Sequence, residues 1–501
     1  MFERKETGLS KLALILAFST VIIYFGLLQF DSPTLYGADG YYHLAVSDFI
    51  RDFGVDYEFR WTQFSTFKNA YSDSDFLFHL LIIPFLYLSD NIVLAGKYAI
   101  IFYNTLFFIA FVIILKKYLP NFLVAGFLLF PLFSVTFSTY FLYLRGITLG
   151  GIFTILAIYF LIEKKWIKLA ILSLLYPLTH LSFFTIIVFS LLCEIVRYLY
   201  SKEFFLRNIY VVILASILGC LIHPNYPNNL VALHLNIFLM PAYLYKNLIL
   251  NPAGELHSFS FQRIFIFNFS VFITLGFVFW MGLLARVKAS LSTLVWWACT
   301  SIYLLFSFRI YRYWYTANIL IFIFFASYLR DWLNSDKRKL VSQKAITFII
   351  IFLVILLPSF FLNFKSINKH IGFWSLNNRH HEKVALWMKS NIPAGQTIYH
   401  APWGTAAYFI GLNPKNNYIV ACDPIYMAYP YPEEYKIYDR LNKGKISEPH
   451  KILGELFKTR YGYVRKNKGL YGQVKKDRKN FQVLYEDNIG IIFKLKSQAK
   501  P

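Results

Sequence analysis

The sequence predicts a polytopic α-helical membrane protein that ends in a small extracytoplasmic α/β domain. Three observations carry that reading. Of 501 residues, 57% are hydrophobic and only 15% are charged, too little charge to cover a soluble chain of this length. Apolar runs recur, most of about 16–24 residues, enough to cross a bilayer as a helix, and two of them short for a span. After residue 362 those runs stop, and charged and turn-forming residues take over.

Taken in order, the apolar runs predict about eleven crossings. They lie at 12–30, 93–115, 121–141, 147–162, 167–179, 182–199, 208–222, 264–285, 290–308, 311–329 and 345–362. The first follows MFERKETGLSK with no small-residue cleavage site, so it reads as a retained anchor. The segment FLFHLLIIPFLYLS at 76–89 is short for a span and holds Pro84, which suits an interfacial or re-entrant piece. The basic clusters Arg4-Lys5-Lys11, Lys116-Lys117, Lys164-Lys165-Lys168, Arg197-Lys202-Arg207, Arg286-Lys288 and Lys337-Arg338-Lys339 then fall on one face. The positive-inside rule makes that face cytoplasmic, with the N-terminus inside and everything after 363 outside. Cytoplasmic loops and anionic headgroups account for the net charge of +23, and nucleic acid is not the expected partner. Cys193, Cys220, Cys299 and Cys422 form no CxxC pair, so neither a zinc site nor a disulfide framework is expected.

The expected domains are a membrane domain over 1–362, with a large first outer loop at 31–92, and an outer domain over 363–501. The outer domain holds 23 Lys and Arg against 10 Asp and Glu, a basicity that the positive-inside rule does not explain. QTIYH, NYIVACD, YGYVRKN, FQVLYE and IGIIFKLK read as short strands, the last two as a hairpin. HHEKVALWMKSNIPAG reads as a helix and the turn after it.

In this topology the unusual polar residues of the membrane half gather on the outer side: Asp39, His43, Asp73, Asp75, His79, Arg145, His180, His223, Glu255, His257, Arg309 and Arg312. Ionisable groups at membrane depth are costly and tend to line functional cavities. In GADGYYH, Asp39 and His43 stand four apart, on one face of a helix. That spacing suits two ligands of one divalent cation, or a base and its orienting partner. A helix cap by Asp39 beside an interfacial His43 ring accounts for the same pair. YSDSDFLFHLL repeats the spacing with Asp75 and His79. In FRIYRYWY, Arg309 and Arg312 offer two guanidiniums suited to a lipid-linked phosphate or pyrophosphate, and snorkelling in an aromatic belt is the plainer account. The same two readings hold for Arg145, which ends the run FLYLR. No GxxxxGK[ST], HExxH or GxSxG motif is present. A nucleotide-sugar donor is not expected, because the polar cluster faces away from the cytoplasm.

With its acidic first-loop motif and C-terminal outer domain, the chain resembles the GT-C glycosyltransferase superfamily. GADGYYHL at 37–44 is most similar to the first-loop motif of oligosaccharyltransferase catalytic subunits. The resemblance implies that Asp39 acts as general base or helps bind a divalent cation, Mg or Mn, and the acceptor. It implies that Glu255 stands for a glutamate of a later outer loop, and that Arg309 or Arg312, with Arg145, holds the donor phosphate. His43, Asp75, His79, His180, His223 and His257 are further metal or acceptor candidates beside Glu255. Two departures stand out. Ala401-Pro402-Trp403-Gly404 lies where those enzymes carry Trp-Trp-Asp, so recognition of an Asn-x-Ser/Thr sequon is not expected. Arg145 stands where the family's second outer loop has an acidic pair, so histidines substitute as ligands or no metal is used. The expected activity is transfer of a sugar or glycan from a polyprenyl-phosphate or -pyrophosphate carrier to a glycan, lipid or protein acceptor at the outer face. The alternatives are a transporter or flippase for a lipid-linked glycan, and a GT-C scaffold that binds without catalysis.

Overall fold

In the computed structural model, residues 8–285, 287–335 and 338–496 are described. Arg4, Lys5, Arg286 and Lys337 of the basic clusters lie outside them. The chain folds as two units: Met1–Ser32, Lys97–Leu221 and Gly254–Gly372 form the first, and Pro33–Gly96, Ile222–Ala253 and Phe373–Pro501 form the second.

Apolar helices build the first unit. Among the described residues of the chain, Gly8–Asp31, Ile92–Leu115, Leu181–Ser201 and Tyr311–Leu333 are long and apolar enough to cross a membrane. Ile147–Ile162, Trp166–Leu178, Leu206–Leu221 and Leu291–Ser307 are shorter apolar helices. Several expected spans are interrupted, each for a visible reason. The 121–141 run divides into Asn121–Leu129, a 3-10 turn at Phe130–Phe133 and Val135–Tyr140. Pro131 offers no amide hydrogen in that turn, and the Ser134 hydroxyl restarts the helix by accepting from the Phe137 amide at 3.3 Å. The 264–285 run is a pair of helices, Phe261–Phe267 and Phe269–Gly282, bent by 84°. Asn268 at the break leaves helical geometry, with φ −121° and ψ 28°. The 345–362 run lies inside a 54-residue helix, Arg338–Asn391, in which the side chains of 338–357 lie outside the described residues.

The second unit is built on a five-stranded sheet: β1 (Thr397–Ala401), β2 (Asn417–Tyr418), β3 (Tyr461–Arg465), β4 (Phe481–Glu486) and β5 (Gly490–Leu495). The order is β2-β1-β3-β5-β4, parallel from β2 to β3 and antiparallel beyond. Tyr399, Tyr438, Phe457, Val464, Ile491 and Phe493 are among the buried side chains of its core. NYIVACD is a strand only over its first two residues; Cys422, with φ 70°, lies in the bend that follows.

Composition places a boundary at 362 and leaves the 31–92 loop with the membrane helices. In the structure, Pro33–Gly96 and Ile222–Ala253 fold with the sheet. Backbone pairing explains it: the Gln63 amide donates to the Tyr418 carbonyl (2.8 Å), Phe64 to Ile419 (2.9 Å) and Tyr418 to Trp61 (2.8 Å). The loop thus joins the sheet at β2. Long-range pairing of this kind leaves no trace in composition.

Candidate active site

The GADGYYH motif becomes a turn and a helix start. Gly37 adopts φ 75°, a left-handed conformation that glycine takes without strain. The helix Asp39–Phe53 follows at once. Its N-cap position is Ala38, with no side-chain cap, so Asp39 is the first helical residue and not the cap. The unsatisfied amides at that end favour a carboxylate there. Two residues on, Tyr41 is buried, and its hydroxyl donates to the Glu382 carboxylate. Helix Ala406–Leu412 packs on the Asp39 helix at Gly411, where an added Cβ would lie 2.6 Å from the Tyr41 carbonyl oxygen.

Behind Asp39 runs a buried hydrogen-bonded chain. His43 Nδ1 lies 2.7 Å from His79 Nε2, and His79 Nδ1 lies 2.7 Å from Asp73 Oδ2. With both rings neutral, each Nδ1–H donates toward Asp73, and His43 presents Nε2 as an acceptor. Asp73 is itself fixed on three sides. Its amide donates to Asn225 Oδ1 (3.0 Å), its other carboxylate oxygen accepts the Asp75 amide (3.1 Å), and its carbonyl accepts from His223 Nε2 (3.1 Å). The Asp75–His79 spacing therefore resolves differently from expectation. Asp75 is the N-cap of helix Phe76–Leu86, so its carbonyl takes the His79 amide while the His79 ring turns to Asp73. Burial above all, opposed by His79 and aided by Asp73 and Asp39, raises the Asp75 carboxyl to about 7.

The fit to a metal is poor as these groups stand. The ring nitrogens of His43 and His79 face one another and Asp73. Among the described residues, no three His, Cys, Asp or Glu side chains form a group that could hold a metal ion.

The first unit holds a second constellation. Glu255, in the short turn Gly254–Leu256, lies between two guanidiniums. One carboxylate oxygen, Oε2, accepts from Arg145 Nη1 at 3.0 Å and from the Tyr140 hydroxyl at 3.2 Å. The other, Oε1, accepts from Arg312 Nε at 3.0 Å and from Arg312 Nη2. Burial opposes the charge on Glu255, but the two arginines outweigh it and hold the carboxyl well below the usual carboxylate range. Arg312 keeps 42% of its side chain exposed against 20% for Glu255.

Among the described residues, the remaining candidates make no hydrogen bond or ion pair with Glu255, although His180 lies within electrostatic reach of Arg312. Arg309 is exposed, and among the described residues no acidic side chain pairs with it. Its i, i+3 relation to Arg312 breaks because helix Leu291–Ser307 ends and a 3-10 turn, Tyr311–Tyr313, intervenes. His180 caps the 3-10 turn Leu181–Phe183 by accepting the Ser182 amide at 3.1 Å. His257 is exposed, and its carbonyl accepts the Tyr311 amide at 3.2 Å. Tyr140 and Asn225 escaped the sequence reading. Each contacts a partner more than a hundred residues away, and no local pattern marks either.

Long apolar helices mark an integral membrane protein, with the helix-initial Asp39 on its sheet-bearing unit and the arginine pair in its helical unit. Among solved structures, the chain is similar to the oligosaccharyltransferase of Archaeoglobus fulgidus in its apo form: TM-score 0.59, 11% identity, 89% of this chain and 69% of that one covered. It is also similar to ArnT from Cupriavidus metallidurans. The apo state gives TM-score 0.58 and 11% identity, covering 96% of this chain and 97% of that one. The form bound to undecaprenyl phosphate gives 0.58 and 12%, covering 97% and 99%. At these identities the likeness is one of fold. No protein-family model and no curated protein sequence matches the chain.

Proposed function

We propose that the protein transfers a sugar or glycan from a polyprenyl-phosphate or -pyrophosphate carrier to a glycan, lipid or protein acceptor. The observation that carries this reading is the pair Arg145 and Arg312, held by Glu255 and Tyr140 in a fold shared with enzymes of that chemistry. The sidedness comes from the basic clusters, which put the N-terminus in the cytoplasm and the sheet-bearing unit outside.

In this reading an acceptor oxygen attacks the anomeric carbon of the donor. The new bond forms as the bond from that carbon to the phosphate oxygen breaks, and its electron pair leaves with the phosphate. Asp39 takes the acceptor's proton, or orients the acceptor. Arg145 and Arg312, with Arg309 as a further cation, stabilise the charge that develops on the leaving phosphate. His43, held through His79 and Asp73, fixes the helix face that carries Asp39. No step is assigned to a divalent cation.

The test is transfer of labelled sugar from polyprenyl-phosphate sugars into the lipid, glycan and protein fractions of membranes holding the full chain. Asp39→Asn is expected to abolish transfer while the protein stays folded and inserted. Wild-type activity in that variant overturns the assignment. A wild-type chain that binds donor but never transfers it is a scaffold and not an enzyme.

A further inference from the structure

The turn that delivers Asp39 is gripped by residues more than 300 positions further along the chain. Leu35 and Gly37, just before the Asp39 helix, each present a backbone carbonyl. The side-chain amide of Asn378 donates to both, reaching the Gly37 oxygen at 3.4 Å. Its own oxygen accepts from the Tyr408 hydroxyl. The partners fix the orientation of that amide: carbonyls only accept, so its NH2 faces them and its oxygen is left for the hydroxyl. Both hydrogens of the Asn378 amide and its oxygen are thus engaged, and the residue is fully buried.

One helical turn on from Asn378, Glu382 accepts from the Tyr41 hydroxyl, which in turn accepts the Leu35 amide at 3.3 Å. The two backbone groups of Leu35 are therefore tied separately, one to Asn378 and the other through Tyr41 to Glu382. All five residues belong to the second unit, as does Asp39. This clamp falls where the helix itself is weakest. Ala38 gives the Asp39 helix no side-chain cap, and the first turn of an uncapped helix has amides with no partner inside it. Gly37, at φ 75°, adds a residue with wide backbone freedom.

We infer that Asn378 is a positioning residue for the reaction: through the Leu35 and Gly37 carbonyls it sets where the Asp39 carboxylate stands, with Glu382 as the second arm of the clamp. This rests on Asp39 taking the acceptor's proton or orienting the acceptor. Asn378 acts through the backbone and touches neither reactant, so its loss falls on the rate and not on donor affinity. Asn378→Asp keeps the size and shape of the side chain. It replaces two donors with an oxygen that only accepts, aimed at two carbonyls, and so pushes the turn away.

The experiment measures labelled-sugar transfer by the full chain in proteoliposomes, with kcat taken per donor-binding site. Asn378→Asp is expected to lower kcat about 10- to 100-fold, the effect of a shift of up to about 1 Å, with donor KM within about twofold of the wild type. Amides of residues 36–44 should exchange with deuterium faster in that variant, and those of 481–495 should not. Tyr408→Phe removes only the hydroxyl that orients the amide, and should lower kcat about threefold or more. A role in stability alone would lower the number of donor-binding sites and leave kcat per site unchanged, which overturns the inference. So does a raised donor KM at unchanged kcat. If Asn378→Asp does not fold, Tyr408→Phe decides, and wild-type kcat there overturns the inference. Asp39→Asn in the same assay separates the two ideas. Should it transfer like the wild type, the role of Asp39 is lost and the inference with it; should it be inactive while Asn378→Asp keeps wild-type kcat, only the inference fails.

Discussion

Gly411→Ala should disable the protein without touching a reacting group. Gly411 lies in helix Ala406–Leu412, and an added Cβ would sit 2.6 Å from the Tyr41 carbonyl oxygen and 2.7 Å from the Tyr41 Cβ. Carbon atoms rest comfortably at about 3.5–4.0 Å, so the two helices must part by about 1 Å. Both contacts are to backbone or the first side-chain atom, so no rotamer change relieves them. Tyr41 is two residues from Asp39 on the same short helix, and the displacement carries Asp39 with it. A 1 Å misplacement of a catalytic group costs about 100-fold in rate, which is about 2.7 kcal/mol of activation free energy. The assay is sugar transfer in membranes, with thermal unfolding of the purified protein beside it. Gly472→Ala is the control: it lies in helix Gly469–Lys476, and nothing stands within 4 Å of its added Cβ. Wild-type transfer by Gly411→Ala refutes either the positioning of Asp39 by this contact or the role of Asp39.

Other perturbations test the two constellations separately. His79→Phe removes both 2.7 Å contacts and leaves Asp73 and His43 each with an unmet buried group, a loss of about 2–6 kcal/mol read as a lowered thermal midpoint. An unchanged midpoint means the chain is not hydrogen-bonded as described. Arg312→Lys keeps the charge but not the two-pronged edge that grips Glu255, and should raise the donor KM about tenfold or more; an unchanged KM places the phosphate elsewhere. Asp75 titrates near neutrality, and its folded-state value of about 7 lies above the unfolded one, so the folded protein binds the extra proton in the pH range between them. Its stabilising effect is present at low pH and lost as pH rises through about 7. The midpoint of the wild type should therefore fall relative to Asp75→Asn from about pH 4 to about pH 7 and level off above that, and a constant difference contradicts the shifted carboxyl.

Local pattern carried much of the fold and less of the site. The FQVLYE-DN-IGIIFKLK hairpin reads correctly because alternation and a turn lie within one short stretch, and β4 and β5 pair as expected. Helix breaks at Pro131 and Asn268 went unread because each lies inside a run that is apolar on average, and average hydropathy is blind to the backbone. In GADGYYH the glycine, acid and histidine announce a turn, a helix start and a shared face. The partner of His79 did not follow from spacing, because Asp75 gives its carbonyl to the His79 amide while its carboxylate accepts from the Ser74 hydroxyl. Glu255 was singled out as an acid, but its grip on Arg145 and Arg312 joins three loops separated by 110 and 57 positions. Such closures belong to tertiary structure alone.

The seam between the first loop and the sheet also orders events during synthesis. Trp61 donates its indole N–H to the Pro414 carbonyl, 353 positions further along, and residues 61–64 pair with 418 and 419. A ribosome makes about 5–20 residues per second, so the loop waits on the order of tens of seconds for its partner. Throughout that interval the Asp39 helix lacks the contact at Gly411, and the loop's backbone groups at 61–64 lack theirs. A nonsense codon anywhere before 411 thus leaves the first loop unsupported, although every residue of that loop has been made. Assembly of the nascent protein is decided late, by a segment that enters last.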